Sequence, residues 1–365
     1  MENELLYQIA LTRIPHIGPV HAKNLVEKFG SAKAIFQAPA TQLEKIEGIG
    51  SLRAKSIKSF HAFADCEKEI AFIEKFGIRT VFYSSPDYPS NLRNCYDPPP
   101  LLFFKGNISL NHHYFVGIVG TRSNTGYGMQ VTRHIIEGLA KENIVVVSGL
   151  AKGIDAVAHK AALEMNVPTL GVLAHGLDTI YPANHHQLAR AMLGNGGLIT
   201  EFPSKTMAEK HHFPNRNRIV AGICDVIIVV ETGVKGGSMI TADLAYQYNR
   251  EVYAVPGRLT DKQSSGCHRL IWEKKAAVFS SVENFLEDMG WKKPSPPVSG
   301  LPTLFPDLTG EEKKVLEVIK EKQPVHIDEI RYYSGLTGSK LNAVLLQLEI
   351  KALVSSLPGS RYAML

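Results

Sequence analysis

Nowhere in the sequence does a C-x-x-C pair occur, and its four cysteines, Cys66, Cys95, Cys224 and Cys267, stand far apart. That spacing argues against a disulfide framework and against a zinc site built from cysteines alone. The adjacent histidine pairs His112-His113, His185-His186 and His211-His212 point in different directions on any regular element, so they rarely chelate one ion. No metal is expected. Apolar runs approaching the ~20 residues of a membrane helix are absent. Met1-Glu2-Asn3-Glu4 has neither the basic start nor the apolar stretch of a signal peptide. A cytoplasmic location without membrane contact is the expectation. Also missing are G-x-S-x-G, H-E-x-x-H, the phosphate loop G-x-x-x-x-G-K-[ST], and any cysteine beside a plausible base. The chain is therefore read as a binder with no catalytic residues and no cofactor.

What is present is an ordinary globular composition. Of 365 residues, 44% are hydrophobic and 21% charged, enough apolar matter to bury a core. The length suggests two or three domains. The net charge of +5 admits a polyanionic partner without demanding one. Residues 1–76 and 309–365 carry +1 each, which leaves +3 for the middle. Any basic patch must be assembled by folding.

Four segments are expected along the chain. Residues 1–76 read as short helices with two similar stretches, Ile14-Pro15-His16-Ile17-Gly18-Pro19 and Ile46-Glu47-Gly48-Ile49-Gly50. Each has a hydrophobic residue, a glycine-bearing turn and then an amphipathic run, which is the helix-hairpin-helix pattern of a small SAM-like helical domain. Its glycines either bring backbone N–H groups close to a phosphate or merely cap and turn. Residues 77–290 form the core. Residues 291–308, with Pro294, Pro296, Pro297, Pro302 and Pro306, read as a linker. In 309–365, helical patterns at 310–322, 326–334 and 339–348 precede a hairpin, 353–356 and 361–364, turning at Pro358-Gly359. That is the winged-helix outline. Its third helix places Leu341, Val344, Leu345 and Leu348 inward and leaves chiefly Lys340 and Asn342 outside, which favours protein contact or regulation over reading bases.

In the core, candidate strands at 80–83, 101–104, 115–119, 144–148, 169–174, 197–201, 226–231 and 251–255 alternate with helical stretches at 127–141, 154–164, 184–193, 215–221 and 238–249. Several of the strands are near-continuous hydrophobics, as strands buried on both faces must be. The expectation is an α/β fold, a Rossmann-like doubly wound and mainly parallel sheet.

Ligands of such sheets sit beyond the carboxyl ends of the strands, so the loops there matter most. After 115–119 comes Gly120-Thr121-Arg122-Ser123-Asn124-Thr125-Gly126-Tyr127-Gly128, where small residues admit an anion and Arg122 offers a planar fork. After 144–147 comes Ser148-Gly149-Leu150-Ala151-Lys152-Gly153-Ile154-Asp155, with Lys152 at its tip. Asp155 either caps the following helix or orients Lys152. The third loop reaches Lys210-His211-His212-Phe213-Pro214-Asn215-Arg216-Asn217-Arg218, cations and an aromatic ring suited to phosphate contact with base stacking. The fourth, Glu231-Thr232-Gly233-Val234-Lys235-Gly236-Gly237-Ser238, resembles an anion-binding nest at a helix start. Four loops, each offering N–H groups or a cation, should meet on one sheet edge.

These residues resemble the DNA-processing protein A (DprA/Smf) family. The matching stretches, in the family's order, are Val119-Gly120-Thr121-Arg122, the Ser148 to Asp155 run, Gly176-Leu177-Asp178 through Tyr181-Pro182 and Asn184, Phe213 through Ile219, Gly237-Ser238-Met239-Ile240-Thr241-Ala242 and Ala254-Val255-Pro256-Gly257. The resemblance implies a homodimer that binds incoming single-stranded DNA, protects it and helps load RecA on it during natural transformation. By motif position it makes Arg122 and Lys210 the principal phosphate contacts. Phe213, Arg216, Asn217 and Arg218 shape the groove, and Gly237 and Ser238 complete it. The full expected phosphate-binding set adds Gly120, Ser148, Gly149, Lys152 and Gly236. Two departures stand out: Thr121 replaces the family's usual Ser, and Lys152 replaces its usual Arg, which removes a bidentate fork. The alternative is a related Rossmann-like enzyme, a nucleoside-monophosphate phosphoribohydrolase with a P-G-G-x-G-T-x-x-E segment, whose catalytic glutamate is absent from Lys235-Gly236-Gly237-Ser238-Met239-Ile240-Thr241-Ala242. Release of base from AMP or CMP separates the two readings.

Overall fold

Successive residues of a strand face opposite sides of its sheet, and in the central strands both sides are apolar. In β3 (Tyr114–Val119), Phe115 and Val119 join one core, while Val116 and Ile118 join the other. β4 (Ile144–Ser148) divides in the same way, with Val145 and Val147 against Ile144 and Val146. So does β7 (Val226–Val229), with Ile227 and Val229 against Val226 and Ile228. Such strands need helices on both faces, and the intervening segments supply them.

The computed structural model describes residues 4–111, 114–291, 308–351, 353–357 and 360–364. Besides β3, β4 and β7, the large sheet contains β1 (Arg79–Phe82), β2 (Leu101–Gly106), β5 (Thr169–Val172), β6 (Gly196–Thr200), β8 (Glu251–Ala254) and β9 (Ala277–Val278). Their order is β1-β2-β6-β5-β4-β3-β7-β8-β9. β1 and β2 run antiparallel at one edge, and the strands from β6 through β9 are parallel. This is the doubly wound, mainly parallel sheet that strand–helix alternation indicated. The two-residue strand β9 escaped the sequence reading because it is too short to show a period.

The chain divides into two compact units, one ending at Lys292 and the other beginning at Lys293. In the first, the amino-terminal helices pack on the same core as the sheet. Tyr83 donates its hydroxyl to Glu27 at 2.7 Å, and Ser204 donates N–H and hydroxyl to Glu69 at 2.9 and 2.7 Å. The second hairpin of this helical region turns through Gly48 and Gly50, at φ +79° and +56°, values that suit glycine. Arg53 ties the two hairpins together by donating to His16 O and Gly48 O at 3.0 and 2.9 Å.

The second unit has helices Gly310–Lys322, Ile327–Ser334 and Gly338–Ile350 and a three-stranded sheet ordered β10-β12-β11. β11 (Val354–Leu357) and β12 (Arg361–Met364) are the expected hairpin, and β10 (Val325–His326) adds an edge strand. Leu341, Val344, Leu345 and Leu348 are buried as their spacing indicated. Lys340, expected outside, is exposed but engaged, 3.3 Å from Glu311. The proline-rich stretch 292–307 and the Pro358-Gly359 turn lie outside the described residues. Among the described residues, no helix is long and apolar enough to cross a membrane, and no group of three or more His, Cys, Asp or Glu could hold a metal ion. All four cysteines are free and buried.

Candidate functional site

From β3 the chain winds outward through β4, β5 and β6, then crosses back to β7 on the other side of β3. The carboxyl ends of β3 and β7 therefore flank a topological switch point, where loops part and leave a crevice. A cleft of about 750 Å³ opens there. Of the residues expected to bind phosphate, Gly120, Arg122, Lys210, Phe213, Arg216, Asn217, Gly236, Gly237 and Ser238 line it. They come from three loops and the helix starts that follow two of them, far apart in the chain.

Arg122 and Lys210 are exposed cations on the cleft. The Arg122 guanidinium lies 5.1 Å from the centre of the Phe213 ring, a cation–π contact that orients the fork without using up its N–H donors. Phe213 in turn leans on Tyr181, with ring centroids 6.1 Å apart. Tyr181 is 52% exposed and was not singled out as a site residue from sequence. Buried His175 fixes its backbone: Nδ1 lies 2.9 Å from Gly176 O and Nε2 accepts the Tyr181 N–H at 3.2 Å. That pattern requires a neutral ring, and burial holds its pKa below the ordinary histidine value.

The helix starts around the cleft are not equivalent. Helix Gly237–Gln247 begins after Gly236 with no side chain capping it, so its first turn presents a positive dipole end to the cleft. Asn217 and Ser238 brace this turn, through Gly237 O at 3.3 Å and Thr232 Oγ1 at 2.7 Å. Helix Gly126–Leu139, after β3, is occupied instead. Its N-cap Thr125 accepts from Gly128 N at 3.1 Å, while Thr125 N–H and hydroxyl both donate to the Glu231 carboxylate.

The loop after β4 also spends its donors internally. Gly149 N and Ala151 N donate to Asp155 at 3.1 and 3.4 Å. Asp155 therefore neither caps its own helix, whose N-cap is Gly153, nor orients Lys152. Burial pushes its carboxyl above the usual range, against the pull of nearby Arg216 and of those amides.

Five residues of the expected phosphate-binding set are buried, engaged elsewhere or off the cleft, although one of them, Arg216, does line it. Ser148 is buried and donates its hydroxyl to Ile118 O at 2.6 Å, tying two strands together. Gly149 is glycine because the Arg216 guanidinium occupies its side-chain space, where a Cβ would lie 1.3 Å from Nη1. Lys152 is exposed but does not line the cleft; next to it Gly153, at φ +80°, packs so closely on Thr121 O that an added Cβ would lie 2.1 Å away. Arg216 reaches the cleft floor yet is only 5% exposed, donating to Val172 O at 3.2 Å beside Asp155. Arg218, 7% exposed and off the cleft, is held by Glu201 and Asp97.

The helix expected at 215–221 starts earlier, as His212–Ile223, with Pro214 tolerated in its first turn. Arg216 and Arg218 fall within the helix in either case, and both lie on faces that the fold covers. Of the four loops expected to offer N–H groups or a cation, the geometry leaves one open helix start and two rim cations on the cleft, with two turns filled internally.

Comparison with known proteins agrees with this architecture. The family model for DNA recombination-mediator protein A matches residues 79–290, a helix-hairpin-helix model matches 9–70, and the DprA winged-helix model matches 300–360. Protein Smf of Synechocystis is 32% identical over 99% of this chain and 98% of its own length. DNA processing protein DprA of Bacillus subtilis is 42% identical over 60% of this chain and 74% of its own. The crystal structure of DprA from Streptococcus pneumoniae superposes with a TM-score of 0.68 at 31% identity, covering 78% of this chain and 97% of that one. A structure of the Helicobacter pylori protein, described for its single-stranded DNA binding mode, gives a TM-score of 0.53 at 32% identity, covering 58% of this chain and 95% of that one.

Proposed function

The chain belongs to the DNA-processing protein A (DprA/Smf) family, and from that premise we propose that its switch-point cleft holds single-stranded DNA by the phosphates. The observation that carries this reading is the convergence of Arg122, Lys210 and the open start of helix Gly237–Gln247 on one cleft. A guanidinium, an ammonium and a helix dipole end all favour anions. Phe213 and Tyr181 put aromatic faces beside them, the pairing of stacking with backbone charge that suits an unpaired strand. A duplex hides its base faces and gains nothing from the rings. The relative from Helicobacter pylori, whose structure is described for single-stranded DNA binding, supports the same substrate.

Holding the strand without turnover is the activity we assign. In the cell this serves recombination: the protein, a cytoplasmic homodimer, shields incoming single strands and helps load RecA on them during natural transformation. The amino-terminal region 1–76 and the winged helix 309–365 act as appended modules, the latter toward protein partners. A gel shift of the full chain on matched single- and double-stranded oligonucleotides tests the substrate. Preference for the single strand, weakened equally on all sequences by Arg122→Ala, is expected, because phosphate contacts carry no base code. Equal or stronger binding of the duplex contradicts the reading, and so does base release from AMP.

A further inference from the structure

In Rossmann-type sheets a nucleotide phosphate sits at the helix start that follows the first central strand. Here that position is the start of helix Gly126–Leu139, after β3 at the switch point, and the chain has filled it. Glu231 crosses from the end of β7 with 0% exposure and sets its carboxylate there. Oε2 accepts the Thr125 N–H at 3.0 Å and Oε1 accepts the Thr125 hydroxyl. Both donors belong to the N-cap of the helix rather than to a cation. The space has been cleared for it, since a Cβ on Gly128 would lie 2.2 Å from Oε2. A second tie, Thr121 N to Glu231 O at 2.7 Å, fixes the glutamate backbone against the same turn.

We propose that Glu231 is a resident anion, a specificity-determining side chain that takes the phosphate position of this turn and keeps small phosphates out of it. A phosphate dianion approaching Thr125 meets a carboxylate already satisfied by the donors it needs, and like charges in contact repel strongly. Polymer phosphates are not excluded by this device, because Arg122, Lys210 and the other helix start line the cleft, whereas Thr125 and Glu231 are not among its lining residues. The turn thus discriminates against a lone phosphate monoester, whose charge is concentrated at one end, without obstructing a strand that distributes its contacts. The inference rests on the local geometry of one turn and does not require the DNA reading to be correct.

Thermal melting of the full chain, with inorganic phosphate as the probe and chloride as the matched-ionic-strength control, tests it. Glu231→Ala empties the position. It is expected to melt below the unsubstituted chain and to regain more of its Tm in phosphate than the unsubstituted chain gains. Glu231→Gln keeps the volume and one acceptor but removes the charge. It should also melt lower, with no extra recovery in phosphate because the space stays filled. The proposal is overturned if Glu231→Gln melts with the unsubstituted chain, or if Glu231→Ala recovers no more in phosphate than that chain does. Should Glu231→Ala fail to fold, the Glu231→Gln comparison decides alone. Titrating a single-stranded oligonucleotide into the unsubstituted chain in parallel reports separately on the DNA reading.

Discussion

Two helices follow the neighbouring strands β3 and β7 at the switch point, and they treat negative charge in opposite ways. Helix Gly126–Leu139 is closed by its own threonine cap and by the buried carboxylate of Glu231. Helix Gly237–Gln247 has a glycine N-cap, no capping side chain, and the cleft in front of it. Both starts are glycine-rich, and sequence alone marked both as anion sites. What separates them is an acidic residue delivered from a neighbouring strand, which no local motif records. A helix start becomes a binding site only when the rest of the fold leaves it unneutralised.

The comparison can be broken most forcefully by giving the open helix what the closed one has. Gly237 has nothing within 4 Å of an added Cβ, so Gly237→Asp should fold, and Tm should hold or rise, since an acidic group suits a helix start. Binding of single-stranded DNA, followed by fluorescence anisotropy, should fall by the several kcal/mol that like charges in contact cost. Unchanged binding would mean that this helix start does not face the strand.

Next in size is the contrast between a cation spent internally and one left on the rim. Arg218→Ala strands Glu201 without its partner, so urea unfolding should show a loss of about 3 kcal/mol or more. Arg122→Ala should leave the urea midpoint near that of the parent chain and instead lower single-strand affinity. The loss of a charged contact of ~1.5–3 kcal/mol corresponds to roughly tenfold to a hundredfold. An Arg122 variant that unfolds early, or an Arg218 variant that loses only binding, would reverse the two assignments. The smallest effect belongs to Lys152→Ala, expected to stay within ~0.5 kcal/mol in both assays; a tenfold drop in affinity would return Lys152 to the site.

Most of the fold could be read from the chain because its signals are local. Strands such as Ile144–Ser148 and helices such as Ile154–Glu164 matched their sequence boundaries, since apolar runs and 3.6-residue periods need no distant partner. The site was only partly legible, for a physical reason. That Arg122 and Lys210 share a cleft follows from topology once the strand order is known. That Arg216 faces Asp155 and Arg218 faces Glu201 depends on which side of a helix meets which neighbour. That helix begins at His212, ahead of the expected 215, with Pro214 in its first turn where proline is tolerated. Glu231 was visible only as the end of a hydrophobic strand and the start of the fourth loop, and the vacancy at Gly128 that receives it lies about a hundred residues away in sequence. Tyr181 gave a signal only as part of the Tyr181-Pro182 pair within a family-like stretch.

The salt dependence of single-stranded DNA binding bears most directly on whether this cleft grips phosphates. For the unsubstituted chain, log affinity should fall linearly with log salt, by about 0.7 for each phosphate engaged, and the slope should become shallower in Arg122→Ala. Affinity that stays flat from low to high salt would contradict the account, because contacts that release no counterions are not contacts to phosphate.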